Sequence, residues 1–414
     1  MRKLFKHIDK QIITYAEHAE QECLKYYQIP EENALYNQMK VLTAFRKNNV
    51  SEFHMHGSTG YGYGDRSREI LEAVYKDIFH AEKALVRPQF VSGTHAIAVA
   101  LLSLAERGKE YLFATGEPYD TLQNIIGSEN KKLTLTHLGV SCKIIPLLND
   151  VPDIDQILNN ITAKTSVIFI QRSRGYSLRP SLSISQIADL IAAIKEKQPS
   201  VICFVDNCYG ELVEKLEPTD VGADLIAGSL IKNLGGTLAP TGGYIIGKEE
   251  LVELAAERLT APGIGSEVGA TSGFARLFFQ GLFMAPSIVK GALMGAIFTS
   301  CFYELLGFEV FPRYNTSRCD IIQTLKLNSE KNIITFCRAL QKYSPVDSGI
   351  TPEPWNMPGY NSQVIMAGGT FIQGSSIELS ADAPIRPPYA VYLQGGISKE
   401  HIQIAVIEAA QELL

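Results

Sequence analysis

The stretch VICFVDNCYGELVEKLEPTDVGADLIAGSLIKNLGGTLAPTGG, residues 201–243, decides how the rest of the chain is read. It opens with VICFV, apolar at every position, the pattern of a central strand buried on both faces of a parallel sheet. Asp206 and Asn207 follow at the carboxyl end of that strand, the edge at which open α/β sheets bind ligands. A second strand-like run, ADLIAGSL, leads into Ile231, Lys232 and Asn233 and then Gly235 and Gly236. Lys232 therefore falls on a loop whose glycines let the backbone come close to a ligand. One αβ unit delivers a carboxylate, a lysine and the hydroxyl of Ser229 to the same region.

Pyridoxal phosphate uses such a set. It needs a lysine to hold it as a Schiff base, an anion beside its pyridine nitrogen to keep the ring protonated as an electron sink, and hydroxyls or backbone N–H groups around its phosphate. Lys232, Asp206 and Ser229 can supply all three. Taken one at a time they read more simply, as a solvated loop lysine, a turn cap and filler; the combination is what points to the cofactor.

Upstream, the chain repeats the alternation of strand and helix. SISQIADLIAAIKEK is a strongly amphipathic helix, and residues 166–170 form a clear strand ending in QRSRGY, which brings further polar groups to the ligand edge. Before them come a helix near residues 153–160, a strand around 142–146 and the strand YLFATGE, which runs into Pro118, Tyr119, Asp120 and Thr121. Tyr119 can lie on the face of the pyridine ring and hold it by stacking, or fill a core or interface. KALVRPQFVSGTHAIAVALLSLA then gives strand, turn and apolar helix, with Ser92, Gly93, Thr94 and His95 where the helix begins. A helix amino terminus offers unpaired N–H groups and a favourable dipole to a phosphate. Alone, the motif is an ordinary Ser/Thr cap; beside Ser229 and Lys232 it completes a phosphate cup.

Residues 1–56 read as an amino-terminal helical arm, with Pro30 and Glu31-Glu32 marking one helix's stop and the next one's start. HGSTGYGYGDRSR, residues 56–68, follows as a flexible loop carrying Tyr61, Tyr63, Arg66 and Arg68, either a ligand contact or a simple connection. The cofactor domain is expected over 57–286, a mostly parallel sheet with helices on both faces. Toward its end, LTAPGIGSEVGATSGFARLFFQGLFMAP suggests a loop over the site and a helix beneath it. Residues 287–414 change character, with helices near 288–306, 330–342 and 400–413 and strands around 308–312, 321–325 and within 363–379, a smaller α+β domain. Within it, Arg386 in SADAPIRPPY has the two-pronged guanidinium that grips a substrate carboxylate, or is one more surface arginine.

Composition narrows the classes of function. The 414 residues are 46% hydrophobic and 20% charged, ordinary for a globular chain, and a net charge of -6 argues against a sequence-independent grip on nucleic acid. Small molecules are the expected partners. No apolar segment follows the positive amino terminus, and residues 291–303, the most membrane-like run, are too few to span a bilayer, so a cytoplasmic protein is expected with no membrane partner. Seven scattered cysteines with no C-x-x-C pair fit reduced thiols, and His54 with His56 lacks the partners of a metal site, so no metal is expected.

With SGTHAI, GEPYDTL, VDNCYGE, GSLIKNLGG and SADAPIRPPYAVYLQGG in view, the chain resembles the fold-type I pyridoxal phosphate enzymes of cysteine and methionine metabolism, in their methionine gamma-lyase-like, aluminium-resistance branch, over most of its length from about Gly57. The resemblance implies Lys232 as the Schiff-base lysine, Asp206 as the pyridine partner, Ser92, Gly93, Thr94 and Ser229 as the phosphate cup, Tyr119 as the stacking aromatic and Arg386 as the carboxylate ligand. It also implies a homo-oligomer, a dimer or a dimer of dimers with sites at the subunit boundary. Better-known lyases send a tyrosine-serine-arginine segment into the neighbouring site; here the match is the Tyr61–Arg66 segment, with Tyr61 and Tyr63 the contacts to expect. An asparagine-proline pair near the ring hydroxyl is replaced by QRSRGY. The implied activity is a carbon–sulfur lyase on a cysteine-, methionine- or cystathionine-like amino acid, by β- or γ-elimination. An aminotransferase or transsulfuration synthase would use the same core residues, and a stress-response or binding protein could keep the fold with little turnover.

Overall fold

The strand expected at residues 201–205 forms at Ile202–Asp206 and is the fourth of seven in one sheet. The computed structural model describes residues 1–127 and 132–414. In chain order, α1 (Lys10–Cys23) and α2 (Gln28–Lys47) precede α3 (Arg66–Ile78), β1 (Lys83–Arg87), α4 (Gly93–Ser103), β2 (Glu110–Phe113), α5 (Asp120–Ile126) and β3 (Ser141–Ile144). A hairpin of β4 (Leu147–Leu148) and β5 (Val151–Pro152) leads to α6 (Ile154–Asn160), β6 (Thr165–Gln171), α7 (Ile184–Lys197), β7 (Ile202–Asp206), β8 (Leu225–Ser229), β9 (Gly243–Gly247) and α8 (Glu249–Leu259). The remainder comprises α9 (Ala275–Leu305), β10 (Glu309–Phe311), β11 (Ile322–Lys326), α10 (Glu330–Lys342), β12 (Val364–Ala367), β13 (Ser380–Pro384), β14 (Ala390–Gln394) and α11 (Lys399–Leu413).

The large sheet runs β1-β9-β8-β7-β6-β2-β3 and is parallel from β8 to β3, with β9 antiparallel to both its neighbours. This is the mostly parallel α/β architecture that the alternation predicts. Side chains along each strand divide between two faces because their period is two. Ile168, Ile170, Cys203 and Val205 pack with α3, α7 and the start of α9, while Val167, Phe169 and Phe204 pack with α4 and α8. Each large apolar side chain so buried contributes roughly 1.5–3 kcal/mol, which is why these strands carry no polar face. At the carboxyl ends of the central strands β6, β7 and β8 stand Gln171, Asp206 and Ser229, all at one edge.

A second, antiparallel sheet, β10-β11-β14-β13-β12, packs with α10, α11 and the carboxyl half of α9. The two amino-terminal helices divide between the cores. Ile12, Ala16, Ala19 and Cys23 of α1 lie in the small one with Phe298 and Phe302, whereas Val41 and Ala44 of α2 join the large one. The 286/287 division falls inside α9, a single 31-residue helix that serves both cores, with Phe279, Leu282 and Ala285 in one and Phe298 and Phe302 in the other. It is longer than its apolar stretch at 291–303 suggests, and long and apolar enough to cross a bilayer, yet most of its apolar surface is buried in these two cores.

Two local expectations are revised. Pro30 does not stop a helix but sits in the first turn of α2, where a missing N–H has no partner to lose. The glycine-rich stretch after α8 does not cover the ligand edge. It packs on the loop before α3, with Gly269 N–H donating to Tyr61 O at 2.9 Å and Ser272 N–H to Ser58 O at 2.9 Å. Gly62 is required there: its φ is +72°, and a Cβ would fall 2.8 Å from the backbone of Gly269 and Ala270.

Candidate active site

The carboxyl ends of β6, β7 and β8 and the amino terminus of α4 meet at a cavity of about 820 Å³, closed on its other side by residues of the small domain. Ser92, Gly93, Thr94, Tyr119, Asp206, Ser229 and Lys232 all line it. Three other predicted residues do not. Tyr61 and Tyr63 are 77% and 67% exposed, their rings 5.8 Å apart, and Arg386 stands on the turn between β13 and β14. Arg68 is buried and donates to the carbonyls of Gly62, Glu267 and Gly269, so it ties two loops together, and Arg66 pairs with Glu69 at 2.9 Å.

Asp206 ends β7, in register with Gln171 of β6, and its Oδ1 accepts from Cys208 N–H at 3.1 Å. Burial pushes its carboxyl up from the ordinary range, against the pull of Lys232 and the Cys208 groups. A cation beside it would relieve that cost, and a protonated pyridine nitrogen is such a cation. Burial likewise opposes charge on Lys232, but Cys208, Tyr209, Asp206 and Tyr119 together outweigh it and hold the amine well above the usual lysine range. The Tyr209 ring centroid lies 3.8 Å from Lys232 Nζ, and Tyr209 adopts a left-handed φ of 71°, a cost of order 1–3 kcal/mol tolerated mainly at functional positions. Asn233 fastens the two loops, donating to Tyr209 O at 3.1 Å and Glu211 O at 2.8 Å.

The phosphate side is defined by backbone. Ser92 caps α4, its Oγ accepting from His95 N–H at 3.1 Å, and leaves the N–H groups of Gly93 and Thr94 in a first turn that has no intrahelical acceptors. Gly93 packs directly on Ser229: a Cβ at 93 would sit 2.8 Å from Ser229 Cβ. That cradle, a buried carboxylate and an enclosed lysine on one cavity fit pyridoxal phosphate. Tyr119 caps α5 from the same edge, its N–H donating to Gln171 Oε1 at 3.2 Å, and burial pushes its phenol up, so it stays protonated at neutral pH.

Other contributors lie in stretches the sequence singled out, without a role for the individual residue. In QRSRGY, Arg172 is fully buried and donates to Asn207 Oδ1 at 2.7 Å and Glu214 Oε2 at 2.8 Å, bracing the strand end behind Asp206. Tyr209 sits inside the quoted VDNCYGE, and an aromatic just past a strand end was the available signal. Asp382, Gln394 and Tyr392 line the far wall from the small domain; they lie inside the quoted SADAPIRPPYAVYLQGG, where only Arg386 was given a role.

A mostly parallel sheet with a lysine loop and a helix amino terminus at one edge defines the fold-type I architecture of pyridoxal phosphate enzymes. Residues 12–414 match the methionine gamma-lyase family, and the chain belongs to it. Bacillus subtilis YnbB is 48% identical over 388 residues, 93% of this chain and 92% of its own. A solved structure described as a carbon-sulfur lyase involved in aluminum resistance, from Clostridium novyi, is 45% identical, covers 100% of this chain and 99% of its own, and has a TM-score of 0.96. A Listeria monocytogenes structure, a candidate cystathionine beta-lyase involved in aluminum resistance, is 47% identical with a TM-score of 0.94, over 97% of this chain and 100% of that one.

Proposed function

We propose that this protein is a pyridoxal phosphate-dependent carbon–sulfur lyase that eliminates a thiol from a cysteine-, methionine- or cystathionine-like amino acid. The observation that carries the reading is the convergence of Lys232, Asp206 and the Gly93–Ser229 cradle on one cavity, in a chain whose relatives include a carbon-sulfur lyase. Lys232 holds the cofactor, Asp206 its ring nitrogen, and Ser92, Gly93, Thr94 and Ser229 its phosphate, with Tyr119 against the ring. Bound there, the cofactor supplies an electron sink for negative charge at the substrate's Cα.

The chain's own groups do the rest. Once the substrate's own amine has taken its place and left it free and neutral, Lys232 Nζ would take the proton from Cα, with the Tyr209 ring 3.8 Å from that amine. Asp206 stays ionised by holding a cation, so the sink keeps its charge. Tyr119, protonated at neutral pH, is a donor beside the departing group. The protein works in the cytoplasm as a homo-oligomer, a dimer or a dimer of dimers, whose partner covers the exposed Tyr61 and Tyr63; sedimentation at graded concentration tests that assembly.

The deciding experiment takes purified protein, records its visible spectrum before and after borohydride, and maps the modified peptide. Absorbance lost on reduction with the label on Lys232 is expected; a label elsewhere removes the assignment. Steady keto-acid release from cysteine, methionine or cystathionine without an amino acceptor separates elimination from transamination, and no keto acid from the panel removes the lyase.

A further inference from the structure

Opposite the cofactor side, the cavity wall contains a carboxylate in an aromatic corner. Asp382 on β13 is held through one oxygen: Oδ2 accepts from Tyr176 OH at 3.1 Å and from Gln394 Nε2 at 2.8 Å. Among the described residues nothing donates to Oδ1, and the side chain lines the cavity. The Tyr176 ring centroid is 5.2 Å from that of Tyr392 and 5.8 Å from that of Tyr360, so three phenol rings share this corner. A carboxylate with a free oxygen beside clustered aromatic faces is the chemistry that receives an ammonium group.

Charge around the cavity points the same way. Of the charged side chains lining it among the described residues, Asp120, Asp206, Asp347, Glu353 and Asp382 are acidic and Lys232 alone is basic. Lys232 is also the cation whose field reaches Asp382, and in the proposed function it is committed to the cofactor. Burial lifts Asp382 to about 6, against the hydrogen bonds from Tyr176 and Gln394, so at neutral pH it is an enclosed anion lacking a partner of its own.

We propose that Asp382, with Tyr176, Tyr360 and Tyr392, forms a subsite for a cationic amine at the far end of the substrate, so that the preferred substrates are thioether amino acids carrying a second amine on the sulfur substituent. The substrate class rests on the lyase reading; the subsite does not. S-(2-aminoethyl)-L-cysteine and S-propyl-L-cysteine are matched in length and differ by ammonium against methyl; L-lysine and L-norleucine, which is one heavy atom shorter, compare ammonium with hydrogen at the same place and have no carbon–sulfur bond. With the holoenzyme at pH 8, kcat/KM should favour the aminoethyl substrate by about tenfold or more, mostly through KM, and calorimetry should find lysine bound about tenfold or more tighter than norleucine. Asp382→Asn should bring both ratios to within about threefold of one, and Asp382→Glu should restore part of the preference. Below pH 6 the wild-type preference should fall as Asp382 takes up a proton. The groups facing it, Tyr176, Tyr209, Tyr360, Tyr392, Lys232 and Cys337 of α10, are all held above their ordinary range and do not titrate there.

Equal ratios in the wild-type protein overturn the subsite, as does an Asp382→Asn variant that weakens both members of each pair alike. The wild-type pairs decide by themselves if the variant does not fold. Lysine preferred over norleucine with neither thioether cleaved keeps the subsite and removes the lyase; both thioethers cleaved equally well does the reverse.

Discussion

On one side of the cavity, Asp206, Ser229 and Lys232 come from a single αβ unit and stand where two neighbouring parallel strands end. On the other, Tyr176 and Asp382 meet from positions 206 residues apart, and Gln394 joins them from the next strand. The first wall is held by backbone register, such as Gln171 opposite Asp206, and by buried braces such as Arg172. The second depends on how the small domain docks, through ties between side chains and backbone far apart in sequence, such as Ser375 Oγ to Ile231 O at 3.0 Å and Arg174 to Phe311 O at 3.0 Å. A cofactor needs the rigid wall, and a substrate that must enter and leave can use the assembled one.

Substitutions test that contrast. Lys232→Ala should have the largest effect, a loss of turnover on the order of 10⁴-fold together with loss of borohydride labelling; more than a tenth of wild-type activity would break the assignment of the amine to the rigid wall. Arg172→Met should come next. Removing this fully buried guanidinium leaves Glu217 buried 3.8 Å from where the charge stood, and about 3–5 kcal/mol of destabilisation should appear in denaturant unfolding. An unchanged midpoint would mean the strand end needs no brace.

Gly93→Ala should weaken cofactor binding by about 1–3 kcal/mol, because the new methyl group meets Ser229, with dissociation of the cofactor as the measurement. If affinity is unchanged, the cradle is not where the phosphate sits. Arg386→Ala should matter least, within about 0.5 kcal/mol in stability and less than about threefold in KM, since its side chain lies outside the cavity lining. A hundredfold rise in KM would restore the guanidinium as the carboxylate ligand and blur the difference between the walls.

Much of the rigid wall was legible because a parallel strand buried on both faces has one readable signature, an unbroken apolar run, and whatever follows it arrives at the ligand edge. VICFV therefore located Asp206, and ADLIAGSL located Ser229 and Lys232. The same logic does not reach residues whose meaning depends on what packs against them. Arg68 read equally as a ligand contact or as part of a connecting loop, and its guanidinium is taken up by three carbonyls, two of them from a loop about 200 residues away. Pro30 looked like a stop, although the same ring is harmless one turn into a helix.

By itself, then, the sequence determined the alternation of strands and helices in the large domain, the parallel sheet and the cluster of Asp206, Ser229 and Lys232, because local periodicity and the strand-end rule need no knowledge of distant partners; in the small domain it placed strands within 363–379, where β12 forms, but not β13 and β14 beyond them. Only the tertiary structure decided that α1 and α2 serve different cores, that α9 joins them, that Arg386 stands aside and that Asp382 faces the cavity. Those outcomes follow from which surfaces of two separately patterned domains meet, and the apolar spacing along one chain carries no record of that docking.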